Sequence, residues 1–228
     1  MLAILSSIAY DFLLIFLPLF FVVDPAGALP LFLALTEHYS PAARRTIARR
    51  AAVVAAITGV LFVIVGQALF AFLGVRFADF QIAGGILLVV LSIIDLLSPG
   101  KPAVDEAELR SLGDQPPETV GIVPLAVPLI VGPATMTTSL LLVSTYSAKY
   151  APIFGPHQGP ILVIALVCAA LVANLILLYI GMVFSDHILR ILGKSTMAVI
   201  NKIVMILLAA IAISLIRQGI TSIVRDLK

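Results

Sequence analysis

Asp24 is the residue whose position is hardest to explain by packing alone. It is the single charged residue among the 25 residues between Asp11 and Glu37, and it lies at the centre of that apolar run. A carboxylate in the middle of a membrane is costly to bury and is usually functional. Such a group could bind a substrate amine or carry a proton, or it could only cap the helix that follows it. These alternatives stay open at the level of sequence.

A proline follows Asp24, and the same arrangement recurs later in the chain. A residue that precedes proline avoids helical geometry, and proline suits the first turn of a new helix. Asp24-Pro25 and Gly132-Pro133 therefore each predict the end of one half-helix and the start of another. Gly132-Pro133 lies at the centre of a second run, 119–148, which has no charge. Both breaks are thus expected at mid-membrane, unless they are simple proline kinks with small residues at helix contacts.

Two half-helices that begin at the same depth would direct their positive N-termini into one cavity. Freed backbone groups are tolerated in a membrane only inside protein or beside water, and helix N-termini favour anionic groups. Because Asp24 occupies one helix end, we expect a substrate carboxylate at the other. Gln81 and Asn201 could hydrogen-bond into this cavity or only join helices. The predicted substrate-binding residues are Asp24, Pro25, Ala26, Gly27, Gln81, Gly132, Pro133, Ala134, Thr135, Thr137, Thr138 and Asn201.

Four other residues in apolar segments have simpler interpretations. Asn174 is expected to hydrogen-bond to a neighbouring helix, and Lys202 is expected to extend its ammonium group to the membrane boundary. Gly84 and Gly85 are expected to let two helices approach closely.

Composition determines which kind of element carries these residues. Of 228 residues, 61% are hydrophobic and 11% are charged, and the mean hydropathy is +1.18. Because soluble domains have about 25% charged residues, this composition excludes a soluble enzyme, a nucleic-acid binder and a disordered chain. Cys168 is the single cysteine, which excludes an intrachain disulfide and a multi-cysteine metal site. The chain is therefore predicted to be an integral membrane protein without a metal or a cofactor.

Apolar runs of sufficient length predict six membrane crossings. We number them in chain order: 12–36, 51–75, 80–94 with an extension towards Pro99, 119–148, the later part of 150–185, and 203–216 with the residues just before it. A polar linker, 99–118, separates a first three-helix unit, 1–98, from a second one, 119–228.

The two units resemble each other. Residues 23–26 align with 131–134 at an offset of 108, and the segment beginning at Gln81 aligns with the one beginning at Asn201 at an offset of 120. Because three crossings are an odd number, the two units would enter the membrane from opposite faces. The sequence predicts an all-α fold of two inverted three-helix repeats, with the first and fourth crossings broken at mid-membrane. Many secondary transporters have such repeats.

The distribution of lysine and arginine predicts the orientation. Loops after the first, third and fifth crossings carry nine of these residues, and the other side carries five. The first group, which includes Arg44, Arg45, Arg49 and Arg50, is expected to face the cytoplasm and anionic lipids, so both termini would lie outside. The first helix is expected to be retained, because Met1 to Tyr10 has no positively charged residue and no cleavage site follows.

Three segments resemble motifs of the MarC family. Asp24 to Thr36 (DPAGALPLFLALT) is similar to the opening motif, Pro124 to Pro133 (PLAVPLIVGP) to a second, and Ala83 to Leu88 (AGGILL) to a third. The resemblance covers about residues 10–220. It implies an inner-membrane protein of bacteria or archaea and, as in some members, transport of alanine, glycine, serine and threonine. Ala28 replaces a polar residue, often asparagine, and Ala134 replaces a usual glycine, so the site would be smaller or drier.

These features together predict a secondary transporter of small neutral amino acids, coupled to protons or to Na⁺. Its partners would be the substrate and membrane lipids, with a homo-oligomer left open and no nucleic acid. The alternatives are an exporter of amino acids or other small compounds, and a non-transporting scaffold or regulator. An enzyme is not expected, since Asp95 lies near a helix end and cannot pair with Asp24 at the centre. The sequence has no Gly-rich nucleotide-binding motif, which excludes a self-contained ATP-driven pump.

Overall fold

The computed structural model describes residues 2–37, 39–97, 119 and 121–226, and every regular element in these ranges is helical. The polar linker that the sequence predicts at 99–118 lies outside the described residues, as does the side chain of Asn201. In chain order the helices are α1 Leu2–Val23, α2 Pro25–Thr36, α3 Pro41–Leu73, α4 Phe77–Leu97, α5 Gly121–Ile130, α6 Pro133–Phe154, α7 Gln158–Val183 and α8 Ser185–Asp226.

Within these ranges, four helical segments are long and apolar enough to cross a membrane. They are Ser6–Leu33, Pro41–Phe70, Gln158–Val183 and Lys202–Arg225, and they correspond to the predicted first, second, fifth and sixth crossings. The predicted third crossing is α4, whose apolar part, Ala78–Ile94, is shorter. The predicted fourth crossing is divided between α5 and α6.

The first predicted break is present and is one residue wide. Asp24 separates α1 from α2 and adopts left-handed backbone angles, φ 48° and ψ 68°, a region that aspartate tolerates better than most residues do. Hydrogen bonds still continue across it, because Asp24 N–H donates to Phe20 O (3.2 Å) and Ala28 N–H donates to Asp24 O (2.9 Å). The two helices therefore form one interrupted crossing.

The second predicted break is also present, but the helix before it is a π-helix. α5 contains Pro124 and Pro128, and proline lacks the N–H donor that an α-helix uses at each interior position. The wider geometry persists to the break, where Val131 N–H donates to Ala126 O at 3.0 Å. Gly132 is then extended, with φ −98° and ψ −174°, and Pro133 begins α6. The apolar pattern predicts a helix here but gives no signal for its π form.

The last helix, α8, also changes direction. Gly193 has φ 74° and ψ 158° inside it, a conformation that residues with a side chain rarely adopt. The bend separates a short helical segment that begins at Ser185 from the long one that contains the predicted sixth crossing.

Two hydrophobic clusters form the core, and both breaks lie where they meet. The first cluster contains Val23, Ile130 and Val131 together with residues of α2, α3, α6 and α7. The second joins α4 and α8 and contains Val22 and Ala134, with Ala26 packed against it. Residues next to each break therefore contribute to both clusters.

Glycines bring α4 close to its neighbours. A Cβ atom on Gly85 would lie 2.8 Å from Ala212 O, and one on Gly84 would lie 2.8 Å from Thr137 Cβ. On α8, a Cβ atom on Gly219 would lie 2.7 Å from Ala78 O. These contacts confirm that Gly84 and Gly85 permit close packing.

Three pairs of helices run antiparallel. Gly85 lies against Ala212 while Gly219 lies against Ala78, so α4 and α8 run in opposite directions. Gly59 of α3 lies against Leu171 of α7. A groove next to this contact is lined by 49–56 of α3 and 172–179 of α7. Because earlier residues of α3 thus face later residues of α7, these two helices are also antiparallel.

The third pair is α1 and α6. Asp11 in the middle of α1 contacts Lys149 in the last part of α6, and Val22 and Ala134 belong to the same cluster. The first crossing is therefore antiparallel to the second half of the fourth.

Candidate binding site at the two helix breaks

Asp24 caps the helix that begins after it. Its Oδ1 accepts a hydrogen bond from Gly27 N–H at 3.1 Å, so the capping role that the sequence suggested is confirmed. Asp24, Pro25, Ala26 and Gly27 are all half-buried. The carboxylate therefore lies at the positive end of α2 and is partly accessible. A polar group of a ligand could approach it there.

The second break differs because its cap position carries no side chain. Gly132 makes no side-chain hydrogen bond to the start of α6. One backbone group freed by the end of α5 is satisfied, since Thr135 Oγ1 donates to Ile130 O at 2.9 Å. The first turn of α6 thus has the positive end of a helix dipole without an acidic side chain of its own. An anionic group of a ligand suits this position.

Three threonines make the first turns of α6 polar although they are inside the protein. Thr135, Thr137 and Thr138 have 2% exposure or less. Thr138 Oγ1 is buried and has no hydrogen-bond partner among the described residues. Leaving a buried hydroxyl unpaired costs about 1–3 kcal/mol, and such groups in native proteins call for an explanation. A polar group of a bound ligand would remove this cost.

The small residues that follow the two breaks pack in the same hydrophobic cluster. Ala26 and Ala134 both contact the cluster that contains Val204, Met205 and Leu208 of α8. Ala134 is buried and Ala26 is half-buried. The residue two positions after Asp24 and the residue two positions after Gly132 therefore both have small side chains.

Gln81 lies away from the breaks. It is buried (5% exposed) and lines a cavity with Ser144 and Arg217. Leu88, the α4 residue of the cluster that borders both breaks, is seven residues further along, or about 10 Å at 1.5 Å per residue. The backbone of Asn201 lies on α8 three residues before Val204, nearer to the breaks.

Asn174 joins two helices, as the sequence predicted. Its Nδ2 donates to Phe16 O of α1 at 3.2 Å and to Ala170 O of its own helix at 2.9 Å. Lys202 is exposed, and the position of its ammonium group relative to the membrane boundary stays a prediction.

Sequence reasoning missed an ionic cluster between α1 and α6. The Asp11 side chain is 1% exposed. Its oxygens accept hydrogen bonds from Lys149 Nζ at 2.6 and 2.7 Å and from Tyr150 OH at 2.6 Å. The available signal was position, because Asp11 and Lys149 each border an apolar run that holds one of the breaks.

This cluster relates the depths of the two breaks. Asp11 precedes Asp24 by 13 residues, and Lys149 follows Gly132 by 17. At 1.5 Å per residue these separations are about 20 and 26 Å. Because the two ends touch, the difference between these separations, about 6 Å, places the breaks roughly one helical turn apart along these axes.

A second ionic contact lies at the opposite end of the first crossing. Arg44 donates to Thr36 O at 2.8 Å and to Glu37 O at 3.1 Å, which satisfies the last carbonyl groups of α2. The same guanidinium pairs with Asp186 of α8 at 3.2 Å. The ends of the interrupted crossing are therefore each tied to the second half of the chain.

Comparison with known proteins agrees with these motifs. Residues 10–224 match the model of the MarC family, described as integral membrane proteins. The chain belongs to the MarC family. It is an integral membrane protein with several apolar helices, as that description and the four long segments require.

Relatives of this MarC-family chain occur in archaea and bacteria. It is 32% identical to a UPF0056 membrane protein of Archaeoglobus fulgidus, over 90% of each chain. It is also 32% identical to the UPF0056 inner membrane protein YhgN of Escherichia coli K12, over 89% of this chain and 92% of that one. Identity to the UPF0056 membrane protein YvbG of Bacillus subtilis is 30%, over 90% and 92%. No solved structure matches the chain.

Proposed function

We propose that this MarC-family protein is a secondary transporter of small neutral amino acids such as alanine, glycine, serine and threonine, driven by protons. The observation that carries the proposal is the pairing of two helix starts at similar depth, one capped by Asp24 and the other by no side chain. An amino acid has both an amine and a carboxylate. Asp24 would attract the amine, and the first turn of α6 would bind the carboxylate.

The small side chains that follow the breaks support the choice of substrate. Ala26, Ala28 and Ala134 have small apolar side chains, and Ala28 and Ala134 are buried. Larger side chains at these positions would leave less room for a ligand. The unpaired hydroxyl of Thr138 offers one hydrogen bond to a polar substrate. Because a buried polar group is costly to leave unpaired, a substrate that pairs with it gains affinity over an apolar one of equal size.

We further propose that the chain forms two inverted three-helix repeats with six crossings. In such a fold the first crossing corresponds to the fourth, the second to the fifth and the third to the sixth, and each pair runs in opposite directions. The antiparallel packing of α1 with α6, α3 with α7 and α4 with α8 supports this relation. Under the same proposal, α2 and α6 begin at facing positions and run away from each other.

The two ionic contacts suggest how the site would open alternately. Asp11–Lys149 joins α1 to α6 at one end, and Arg44–Asp186 joins α3 to α8 at the other. With both contacts intact, the threonines of α6 are buried. Opening one contact at a time would expose the breaks to one side of the membrane. We place the protein in the cell's inner (plasma) membrane with both termini outside, in keeping with the lysine and arginine distribution and with the name of the E. coli relative.

Uptake by the purified protein in liposomes tests the proposal. Labelled alanine and glycine should accumulate when a proton gradient is imposed, leucine and phenylalanine should accumulate little, and a Na⁺ gradient should add nothing. If no amino acid enters under any gradient, the transport proposal is wrong and a scaffold or regulatory role replaces it.

Asp24→Asn tests the role of the carboxylate separately. Asparagine is an equally good N-cap, so the variant should unfold at the same temperature as the native protein. It cannot bind a proton, however, and uptake driven by a pH gradient should fall at least tenfold. Asp79→Asn is the matched control, because it makes the same chemical change at an exposed position outside the breaks and the two ionic contacts. Normal uptake with unchanged pH dependence in Asp24→Asn would refute the role of Asp24.

A further inference from the structure

A cavity of about 500 Å³ lies between α4, α6 and α8, away from the two breaks. Its volume is in the range of small-molecule sites. Polar residues dominate its lining, among them Gln81, Ser144, Thr145, Arg217, Thr221 and Arg225. None of the described residues that line it is acidic. The cavity therefore combines positive charge with hydroxyl groups.

The arginines lie on one face of α8. Arg217, Thr221 and Arg225 are spaced by four residues, a spacing that places side chains above one another on a helix. Both arginines are exposed, and neither pairs with a carboxylate in the part of the chain that the structure describes. Arg76 at the same end of the molecule differs, because it pairs with Asp79 at 3.1 Å.

The facing helices complete the donor set. Ser144 and Thr145 of α6 are exposed on the opposite wall, and Gln81 of α4 contributes a buried amide. Guanidinium groups bind phosphate through paired N–H donors, and hydroxyl donors add to such a site. A carboxylate has two oxygens and would accept fewer hydrogen bonds from these donors than a phosphate group, which has three or four oxygens.

The cavity lies at the level expected for phosphate groups of a membrane. Ser144 follows Gly132 by 12 residues, which is about 18 Å along α6. If the break lies at mid-membrane, this exceeds half of a hydrocarbon core about 30 Å thick. On that placement, the arginine-containing end of α8 lies near the boundary between lipid and water.

We propose that this cavity binds a phosphate group, with Arg217 and Arg225 as the principal ligands. The group could belong to the headgroup of an anionic phospholipid or to a free phosphate, since both present the same oxygens. The proposal does not depend on amino-acid transport, and binding can be measured on the purified full-length chain without any substrate.

Two probes distinguish the sources. Inorganic phosphate is titrated against the protein in a non-ionic detergent, with chloride replacing it at equal ionic strength, and the thermal unfolding midpoint is followed. Phosphatidylglycerol and phosphatidylcholine are compared as lipid probes by native mass spectrometry. Saturable binding of inorganic phosphate identifies a site that accepts a free ion, and selective retention of phosphatidylglycerol identifies a headgroup site.

Single variants decide whether the probe binds in this cavity. Arg217→Gln and Arg225→Gln should each lower the affinity for the probe at least tenfold, because each removes a charged hydrogen-bond donor. Arg76→Gln removes the same charge at the same end outside the cavity and should leave affinity unchanged. Arg217→Lys keeps the charge but loses the paired donors, so we expect a smaller loss of about threefold to tenfold; it also serves if Arg217→Gln does not fold.

Three results would overturn the proposal. The first is that neither probe binds the native protein better than its control, chloride or phosphatidylcholine. The second is that Arg76→Gln weakens binding as much as Arg217→Gln does. The third is that Arg217→Lys and Arg225→Gln both bind with native affinity.

Discussion

The ionic cluster of Asp11, Lys149 and Tyr150 between α1 and α6 allows the most quantitative test of the packing. Asp11→Asn removes a carboxylate that accepts three hydrogen bonds of 2.6–2.7 Å and is 1% exposed. Removing one partner of a fully buried ion pair costs about 3–5 kcal/mol. The Lys149 side chain is 47% exposed, so its ammonium group can turn to water and part of the cost is avoided. We expect a loss of about 2–3 kcal/mol.

Thermal unfolding in detergent measures this loss. For a chain of this length, 1 kcal/mol corresponds to about 2–4 °C in the unfolding midpoint, so Asp11→Asn should unfold about 4–12 °C below the native protein. Because membrane proteins often unfold irreversibly, all variants need the same heating rate. Asp186→Asn is the matched control, since Asp186 is 69% exposed and exposed pairs contribute about 0.2–1 kcal/mol.

A double-mutant cycle with Lys149→Met identifies the pair as the cause. If the pair accounts for the loss, the double variant should be little less stable than Asp11→Asn alone, with a coupling energy of about 1–3 kcal/mol. The reasoning fails if Asp11→Asn shifts the midpoint no more than Asp186→Asn does, or if the two losses simply add.

Three further outcomes are expected. Gly84→Val should destabilise the protein by about 1–3 kcal/mol through overlap with Thr137, whereas Ala83→Val at the adjacent exposed position should be nearly neutral in the same unfolding assay. Thr138→Val removes an unpaired buried hydroxyl and keeps the shape of the side chain. Stability should be kept or slightly raised, while alanine uptake should fall severalfold. A loss of stability would mean that the hydroxyl is structural. With Cys168→Ser as background, a cysteine added at the C-terminus should react with an impermeant maleimide in spheroplasts, and labelling only after lysis would contradict outside termini.

Sequence alone was sufficient for the membrane class, for most of the helices and for both breaks. These features depend on local chemistry. Hydropathy acts residue by residue, and proline disrupts the helix at its own position, so Asp24-Pro25 and Gly132-Pro133 mark their breaks wherever the rest of the chain lies. The π form of α5 is harder to predict from sequence, because two prolines disturb an α-helix without specifying which geometry replaces it.

Only the tertiary structure decided which of these residues meet. Asp11 and Lys149 are 138 residues apart, and no local pattern pairs them. Gln81 has the same sequence context whether it faces the breaks or the arginine-lined cavity, and the close packing of α4 on α8 through Gly85 and Gly219 placed it in the latter. The physical reason is that an apolar helix has no preferred neighbour in lipid, so its partners are chosen by close packing and hydrogen bonds between distant segments.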